Sequence, residues 1–396
     1  EHFTPRDIVR LMGTLLIEGD KETLDQDYSV TTVYDPCCGT GGMLTEAQEQ
    51  IEDINEKVEV ELFGQEVNPE TYAVCKSDLY IKGEGSSAAE NIKYGNTFSD
   101  DKYTGQQFDY MIANPPYGKD WKGVKEDVKN EANKGFAGRF GAGTPSTNDG
   151  QLLFIQHMLS KMIDQSKGGS RVSVITNASP LFTSDPTMTT KNECDIRRWI
   201  LENDWLEAIV GLPENLFYNT GIRTYIWVLS NDKPEKREDV VQLIDAQDLY
   251  AEMDESLGEK RHELTQDHID EISRIFGDLE ANGRSKVVPT EEFGYRRIVI
   301  DRPLRMSFQA TEERIESLDD ERAFTNRDEE VQEAVKEALY ELDSETQWMD
   351  RDEFINEVEL TLNMNGVDVR KSVYNAIERA LGEQNDDAEI VTDGNG

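Results

Sequence analysis

The sequence predicts a doubly wound α/β domain over about residues 1–250, followed by a mainly helical, acidic region over 251–396. Three observations lead there. Residues 31–35 (TTVYD) are a β-branched and aromatic run that reads as a strand. A glycine-rich turn (PCCGTGG) follows, and 43–54 has helical spacing with Leu44, Ala47 and Ile51 on one face. A second strand, 58–66 (VEVELFGQE), ends in an acid a little over twenty residues past those glycines. Third, the apolar run 108–113 stops at two consecutive prolines, which a strand interior does not tolerate because proline has no N–H to give the ladder.

Taken in order, the first strand, its turn and the helix after it form the nucleotide site of a doubly wound sheet. Glycine lets the backbone approach a ligand closely, and the helix N-terminus offers free N–H groups. The turn Asp35-Pro36-Cys37-Cys38-Gly39-Thr40-Gly41-Gly42 is neither the dinucleotide G-x-G-x-x-G nor a P-loop, since no Gly-Lys-Ser/Thr follows. Asp35 at the strand end is unwelcome beside a phosphate. It suits a ligand with a free ammonium group, such as S-adenosylmethionine. Glu66 stands where an adenosine ribose needs a carboxylate for its hydroxyls; alone it would more simply be a solvated strand-end acid. A third strand, 91–94, leads into Gly95-Asn96-Thr97-Phe98, where Asn96 would hydrogen-bond the adenine and Phe98 would pack on it.

The strand over 108–113 presents Asn114-Pro115-Pro116-Tyr117 at its tip. Alone, that is a rigid strand-ending turn. Beside the cofactor turn it suits methylation of a planar amine or amide nitrogen. Adenine N6 is a poor nucleophile because its lone pair is delocalised into the ring. The Asn114 side-chain oxygen and the Pro115 carbonyl would each accept one N6–H, and Tyr117 would stack on the base. No strong general base is needed, because positioning supplies much of the rate.

Residues 118–148 carry six basic side chains, Lys119, Lys122, Lys125, Lys129, Lys134 and Arg139, against four acids, with Gly135, Gly138, Gly141 and Gly143 towards the end. The stretch reads as a mobile loop that closes over an extruded base and its phosphates, or else as a disordered surface insertion. Downstream, 151–163 and 194–202 read as helices and 170–175 as a fifth strand. The runs 205–212 and 224–229 lack polar alternation and read as the antiparallel pair closing the sheet. An edge strand is expected at 240–244, a helix at 264–276 and a short strand at 295–300. Helical spacing recurs over 328–342, 352–362 and 370–381, and 383–396 reads as disordered.

These runs resemble the gamma-class N6-adenine DNA methyltransferases, and more narrowly the modification subunits of type I restriction–modification systems. The family's F-T-P motif, cofactor turn, ribose acid and NPPY occur in order as Phe3-Thr4-Pro5, Asp35 to Gly42, Glu66 and Asn114 to Tyr117. The similarity continues through Asp149-Gly150-Gln151, Ile196-Arg197-Arg198-Trp199, Glu207 to Pro213, Asn219-Thr220-Gly221-Ile222 and Gln242 to Ala246, and covers about residues 1–310. Cys37 replaces a usual small residue, and Asn96 stands where many relatives carry Asp.

The resemblance implies a Rossmann-like S-adenosylmethionine-dependent methyltransferase core acting on adenine N6 of duplex DNA, with the base flipped out. Phe3-Thr4-Pro5 would close the cofactor pocket, with Thr4 near the methionine carboxylate. The implied partners are DNA, a specificity subunit, a second modification subunit and a restriction (motor-nuclease) subunit. It also implies a helical domain ahead of Phe3, and the chain begins almost at that motif. Whether this reflects a fragment or a split gene product the sequence leaves open. The alternatives are a protein glutamine-amide methyltransferase, against which the basic segment and the extended similarity argue, and a catalytically silent assembly subunit, against which the complete pocket argues.

Composition bounds the rest. The chain's 396 residues easily bury a core. No apolar run would span a membrane and no signal peptide is evident, so the expectation is a cytoplasmic protein without a membrane partner. Cys37, Cys38, Cys75 and Cys194 have no metal-ligand spacing, and neither a metal nor a disulfide is expected. A net charge of −40 is unfavourable for a DNA-binding chain. Because the acids are spread along the whole length, as in proteins of halophiles, they read as adaptation to concentrated salt, where phosphate attraction is screened anyway. Residues 311–396, with 26 acids and 8 basic residues, suit docking to another protein chain better than reading DNA.

Overall fold

The computed structural model describes residues 3–20, 30–82, 85–184, 190–294 and 304–391. It divides into two compact units, 1–295 and 296–396. Residues 251–294, expected with the C-terminal region, therefore belong with the first unit, because two of their elements complete its sheet and its helical cover.

The first unit is built on a nine-stranded sheet. Its strands are β1 (Val30–Asp35), β2 (Glu59–Glu66), β3 (Ile92–Tyr94), β4 (Tyr110–Ala113), β5 (Arg171–Thr176), β6 (Leu206–Gly211), β7 (Tyr225–Ser230), β8 (Val240–Asp245) and, after a separate hairpin of β9 (Ala251–Leu257) and β10 (Lys260–Glu263), β11 (Ser285–Pro289), in the order β11-β8-β6-β7-β5-β4-β1-β2-β3. From β3 to β5 the pairs are parallel. Strand β7 runs antiparallel to both β5 and β6. The chain leaves β1 for β2 on one side and returns to β4 on the other. That reversal opens a crevice at the carboxyl ends of β1 and β4, where a doubly wound sheet binds its ligand. The pair β6–β7 does not close the sheet, and β8 is no edge strand: β8 adds parallel to β6 and β11 covers it antiparallel, Val287 facing Gln242.

Both faces are covered. On one lie α1 (Arg6–Ile17), α2 (Gly42–Ile54), α3 (Pro69–Lys82) and the helix Gln266–Asp278, which bury Leu11, Leu15, Leu44, Ile51, Leu79, Ile272 and Phe276 against Val33, Ile112 and Val210. On the other lie the helices Gln151–Leu159 and Glu193–Glu202, burying Ile155, Met158, Ile196 and Ile200 against Met111, Val172 and Trp227. A buried ion pair ties three of these parts together. The Arg171 guanidinium on β5 meets the Glu207 carboxylate on β6 through two 2.9 Å bonds and donates to the Leu16 carbonyl of α1.

The basic stretch after Tyr117 is not a mobile loop. It holds a 3₁₀ turn, Lys122–Val124, and a helix, Lys125–Asn133, and it buries Trp121, Val128 and Phe140 against Phe98, Leu153 and Phe154. Phe136 stacks on Trp199, with ring centroids 5.9 Å apart. Lysines and glycines dominate its composition, but these four apolar residues decide its structure.

The second unit has its own core, in which Phe308 stacks on Phe354 at 4.6 Å among Val335, Leu339, Ile377 and Leu381. Its long helices are Glu329–Leu339, Arg351–Met364 and Lys371–Leu381, close to the expected bounds, and a short strand Met306–Gln309 pairs with Gln347–Trp348 and Gly382–Gln384. The tail expected to be disordered from 383 is thus held: Glu383 faces Ser307, and Ile390 bridges Arg305. The remainder, 392–396, and the strand expected at 295–300 lie outside the described residues. Among the described residues no helix is long and apolar enough to cross a membrane.

Candidate active site

Each motif read from the sequence reaches the carboxyl edge of the sheet. Asp35 ends β1, Glu66 ends β2, Asn96 follows β3 and Asn114 follows β4.

At the end of β1, Asp35 is 1% exposed and accepts the Cys37 N–H at 2.9 Å. Burial, with the Glu66 carboxylate adding to it, pushes its pKa up to about 7. No ion pair to Asp35 is found among the described residues. Glu66 shapes the turn: one oxygen accepts the Gly39 N–H at 2.8 Å and the other the Asn68 N–H at 2.7 Å. Gly41, with φ +81°, caps the start of α2, and a Cβ there would stand 2.7 Å from the Cys75 sulfur. Only glycine satisfies both the left-handed backbone and that contact. Thr40 is half-buried beside it, and Gly42 opens α2 with its surface exposed.

The loop after β3 is tied to this turn. The Thr97 hydroxyl donates to the Pro36 carbonyl. The Asn96 side-chain oxygen accepts the N–H of Phe98 at 2.9 Å. Phe98 is buried, its ring 4.5 Å from Phe154 and 6.0 Å from Phe140.

Two acids at the tips of adjacent strands, one of them buried without a cation, fit a ligand that brings a positive centre and a pair of hydroxyls. S-adenosylmethionine has both.

The second half of the site surrounds Asn114. Its amide nitrogen donates to the Thr4 hydroxyl at 2.8 Å, and that hydroxyl donates in turn to the Met43 sulfur at 3.7 Å. The orientation of the amide follows, because a hydroxyl whose proton is engaged by sulfur accepts from N–H. Asn114 Oδ1 is therefore the free end, and it is buried with no hydrogen-bond partner among the described residues. The Tyr117 hydroxyl is likewise buried and has no partner among the described residues, and burial pushes its pKa well up. These residues line a pocket of about 280 Å³ of empty space, part of it open to solvent, with Phe3, Pro115, Pro116, Phe217, Asn219 and Thr220 as its other walls. Tyr117 and Phe217 meet edge-to-face at 6.0 Å.

Phe3 and Thr4, expected at the cofactor, thus stand at the Asn114 pocket, with Thr4 reaching both Asn114 and the start of α2. Phe217 was not singled out from the sequence. Its signal is an aromatic residue just before the polar Asn219-Thr220-Gly221 turn between two central strands.

The profile of the N-6 DNA methylase family matches residues 1–314. The chain belongs to the N-6 DNA methylase family. This N-6 DNA methylase is 27% identical over 302 residues to the type I restriction enzyme MjaIX methylase subunit of Methanocaldococcus jannaschii, covering 75% of this chain and 48% of that relative. It is 31% identical over 297 residues to the MjaVII methylase subunit of the same organism, covering 74% of this chain and 47% of the relative. The chain spans about half the length of these curated relatives. The crystal structure of a type I restriction-modification system methyltransferase subunit from Streptococcus thermophilus shares the fold, with a TM-score of 0.59 at 23% identity over 74% of this chain and 57% of that one.

In this N-6 DNA methylase the six basic residues of the segment after Tyr117 do not act as one group. Lys119, Lys122, Lys129 and Lys134 are exposed and Lys125 is half-buried. Lys134 pairs with Glu131 at 3.1 Å. Arg139 turns inward, its side chain 11% exposed, and faces the loop after β3.

Proposed function

We propose that this chain transfers a methyl group from S-adenosylmethionine to N6 of adenine in duplex DNA, as the modification subunit of a type I restriction–modification complex in the cytoplasm. One observation carries the reading: Asn114 Oδ1 is buried, unpartnered and held at the pocket by the Thr4–Asn114 hydrogen bond. A buried acceptor without a donor costs about 1–3 kcal/mol. A ligand with two N–H groups removes that cost only when it is bound, and adenine N6 has two.

Asn114 Oδ1 and the Pro115 carbonyl accept these two N–H bonds. Both protons then lie toward the protein, and the nitrogen lone pair is drawn out of conjugation with the ring toward the incoming methyl. Transfer would leave S-adenosylhomocysteine, and one N6 proton passes to solvent. Tyr117 and Phe217 offer ring surface to a base that has left the duplex stack. When bound, S-adenosylmethionine supplies a reactive methyl group on sulfonium. Asp35, Glu66 and the Gly39–Gly42 turn hold it, with Asn96, Thr97 and Phe98 on its adenine side. The exposed Lys119, Lys122, Lys129 and Lys134, with half-buried Lys125 beside them, would meet phosphates.

The names of the relatives and the acidity of residues 311–396 support an assembly in which a specificity subunit reads the DNA. A second modification subunit and a motor-nuclease subunit would complete it. The chain alone should bind S-adenosylmethionine but methylate DNA poorly and without sequence preference, and the specificity subunit should restore both rate and selectivity. The test is transfer of isotope-labelled methyl onto duplex DNA in high salt, followed by digestion to nucleosides. N6-methyladenine is expected. Label on protein glutamine, or none in any form with all subunits present, would refute the proposal.

A further inference from the structure

We propose that Arg139 is a positioning residue for the cofactor's adenine and does not contact DNA. The inference rests on the S-adenosylmethionine reading and assigns a role that the basic composition of its segment conceals. From the segment after Tyr117, Arg139 reaches back beneath the loop after β3. Its Nη1 donates to the Thr97 carbonyl at 2.6 Å and its Nη2 to the Phe98 carbonyl at 2.8 Å. No other donor to either carbonyl is found among the described residues. Glu131 holds the arginine from behind, accepting its backbone N–H at 3.1 Å and lying 3.7 Å from Nε. The guanidinium carbon lies 5.0 Å from the centre of the Phe140 ring.

The same guanidinium sets a second contact. Nη1 lies 3.1 Å from His157 Nδ1. Arginine has no acceptor, so Nδ1 must accept, and the imidazole proton sits on Nε2, which donates to the Tyr34 hydroxyl at 3.0 Å. Burial, then the Lys161 and Arg139 cations, hold this histidine neutral, well below its ordinary range. Tyr34 immediately precedes Asp35. One side chain therefore grips the backbone of the adenine loop directly and the root of the Asp35 turn through His157 and Tyr34. The Thr97–Pro36 hydrogen bond closes the circuit between the two.

A fork of fixed geometry is needed to span two carbonyls, so lysine does not substitute, although it keeps the charge. That separates the two roles. A DNA contact tolerates lysine, and losing it makes the salt dependence of DNA binding shallower. A positioning arginine tolerates neither lysine nor alanine, and its loss leaves the salt dependence alone.

The experiment titrates S-adenosylhomocysteine and adenosine into the full chain and into Arg139→Lys, Arg139→Ala and, as a surface control, Lys122→Ala. DNA affinity is measured in parallel against salt concentration, and methyl transfer with the specificity subunit present. Both Arg139 variants should weaken both ligands by on the order of 10-fold. They should raise the KM for S-adenosylmethionine with kcat at saturation near wild type, and leave the salt slope unchanged. Lys122→Ala should change only DNA binding. If Arg139→Ala does not fold, Arg139→Lys and Glu131→Gln carry the test, the latter with a smaller loss in the same direction. Unchanged ligand affinity in folded Arg139 variants would overturn the proposal, as would a shallower salt slope. Failure of the wild-type chain to bind either ligand would instead remove the cofactor reading on which it rests.

Discussion

Two residues stand at the centre of the proposed chemistry, and each can be tested alone. Asn114→Ala removes the free acceptor and the hydrogen bond to Thr4 while leaving the Asp35–Gly42 turn in place. Loss of one positioned polar group should lower turnover by on the order of 10²–10³. Cofactor affinity should stay nearly constant, and single-turnover methylation beside a binding titration separates the two.

Asp35 has a pH signature. Its folded pKa of about 7 lies above the ordinary 3.8 because it is buried. Between those values the folded chain holds the proton that the unfolded chain has lost. The group therefore lowers stability as pH rises through that window, and its full cost is present above pH 7. Asp35→Asn should stabilise the chain at pH 8, with the gain disappearing near pH 4, as denaturant melts at the two values would show. A cationic ligand reverses the preference by favouring the carboxylate. S-adenosylmethionine should then bind with proton release around pH 6 and more weakly as pH falls, measurable by calorimetry in buffers of different ionisation heat. Equal pH profiles for wild type and Asp35→Asn would contradict the assignment. At this scale the sequence was informative: Asp35, Glu66 and Asn114 each terminate the strand they were expected to end, since a break in apolar pattern is a local signal. That Thr4 would orient Asn114 was not legible, because nothing local links them.

Among the elements, the hairpin β9 (Ala251–Leu257) and β10 (Lys260–Glu263) has a use that its sequence hides. It braces both walls of the Asn114 pocket. Lys260 reaches Asp7 of α1 at 2.9 Å, just after Phe3-Thr4-Pro5. The backbone N–H groups of Arg261 and Glu259 each donate at 2.9 Å, to the Asn215 and Tyr218 carbonyls that flank Phe217. Gly258 turns the hairpin with φ +66°, and a Cβ there would fall 2.4 Å from the Tyr218 carbonyl oxygen. Gly258→Ala should cost at least about 1–2 kcal/mol through its left-handed backbone alone. It should also displace Phe217, so turnover should fall while cofactor affinity holds. Denaturant unfolding together with single-turnover rates would check both parts.

The segment after Tyr117 teaches the same lesson in reverse. Its charges suggested a loop, yet Trp121, Val128 and Phe140 fold it onto Phe98 and Phe154, residues that lie 23 or more positions from Trp121 in the chain. Burial depends on such distant partners, and composition does not reveal them.

For the whole molecule, a charge of −40 is the governing quantity. At low ionic strength the acids repel one another and any phosphate. Added salt screens both, over about 8 Å at 0.15 M and about 3 Å at 1 M. Melting temperature and methylation rate should therefore both rise toward molar KCl, opposite to an ordinary DNA-binding protein, which loses affinity as salt increases. Best activity in dilute buffer would end the salt-adaptation reading. The second unit, with a hydrophobic core of its own around Phe308 and Phe354, should melt in a transition separable from that of the first. Differential scanning calorimetry that resolved one transition, shifted as a whole by S-adenosylmethionine, would count against two independent units.

Helices α1 and α3, the hairpin β9–β10 and strand β11 were not read from this sequence. What it determined by itself was the run of sheet strands from β1 to β8 with the helices at 42–54, 151–159, 193–202 and 266–278, the two motifs at the carboxyl ends of β1 and β4, and the acidic character of the chain as a whole. These follow from short-range physics: side-chain periodicity, glycine where the backbone turns left-handed, proline where a ladder must stop. Tertiary structure alone decided which side chains face one another. Thr4 and Asn114 meet across 110 positions, Asp7 and Lys260 across 253, and Arg139 turns inward to the loop after β3 because the Thr97 and Phe98 carbonyls accept from it there. Such pairs form only when the sheet brings the ends of distant strands to one edge, so no window of the sequence contains them.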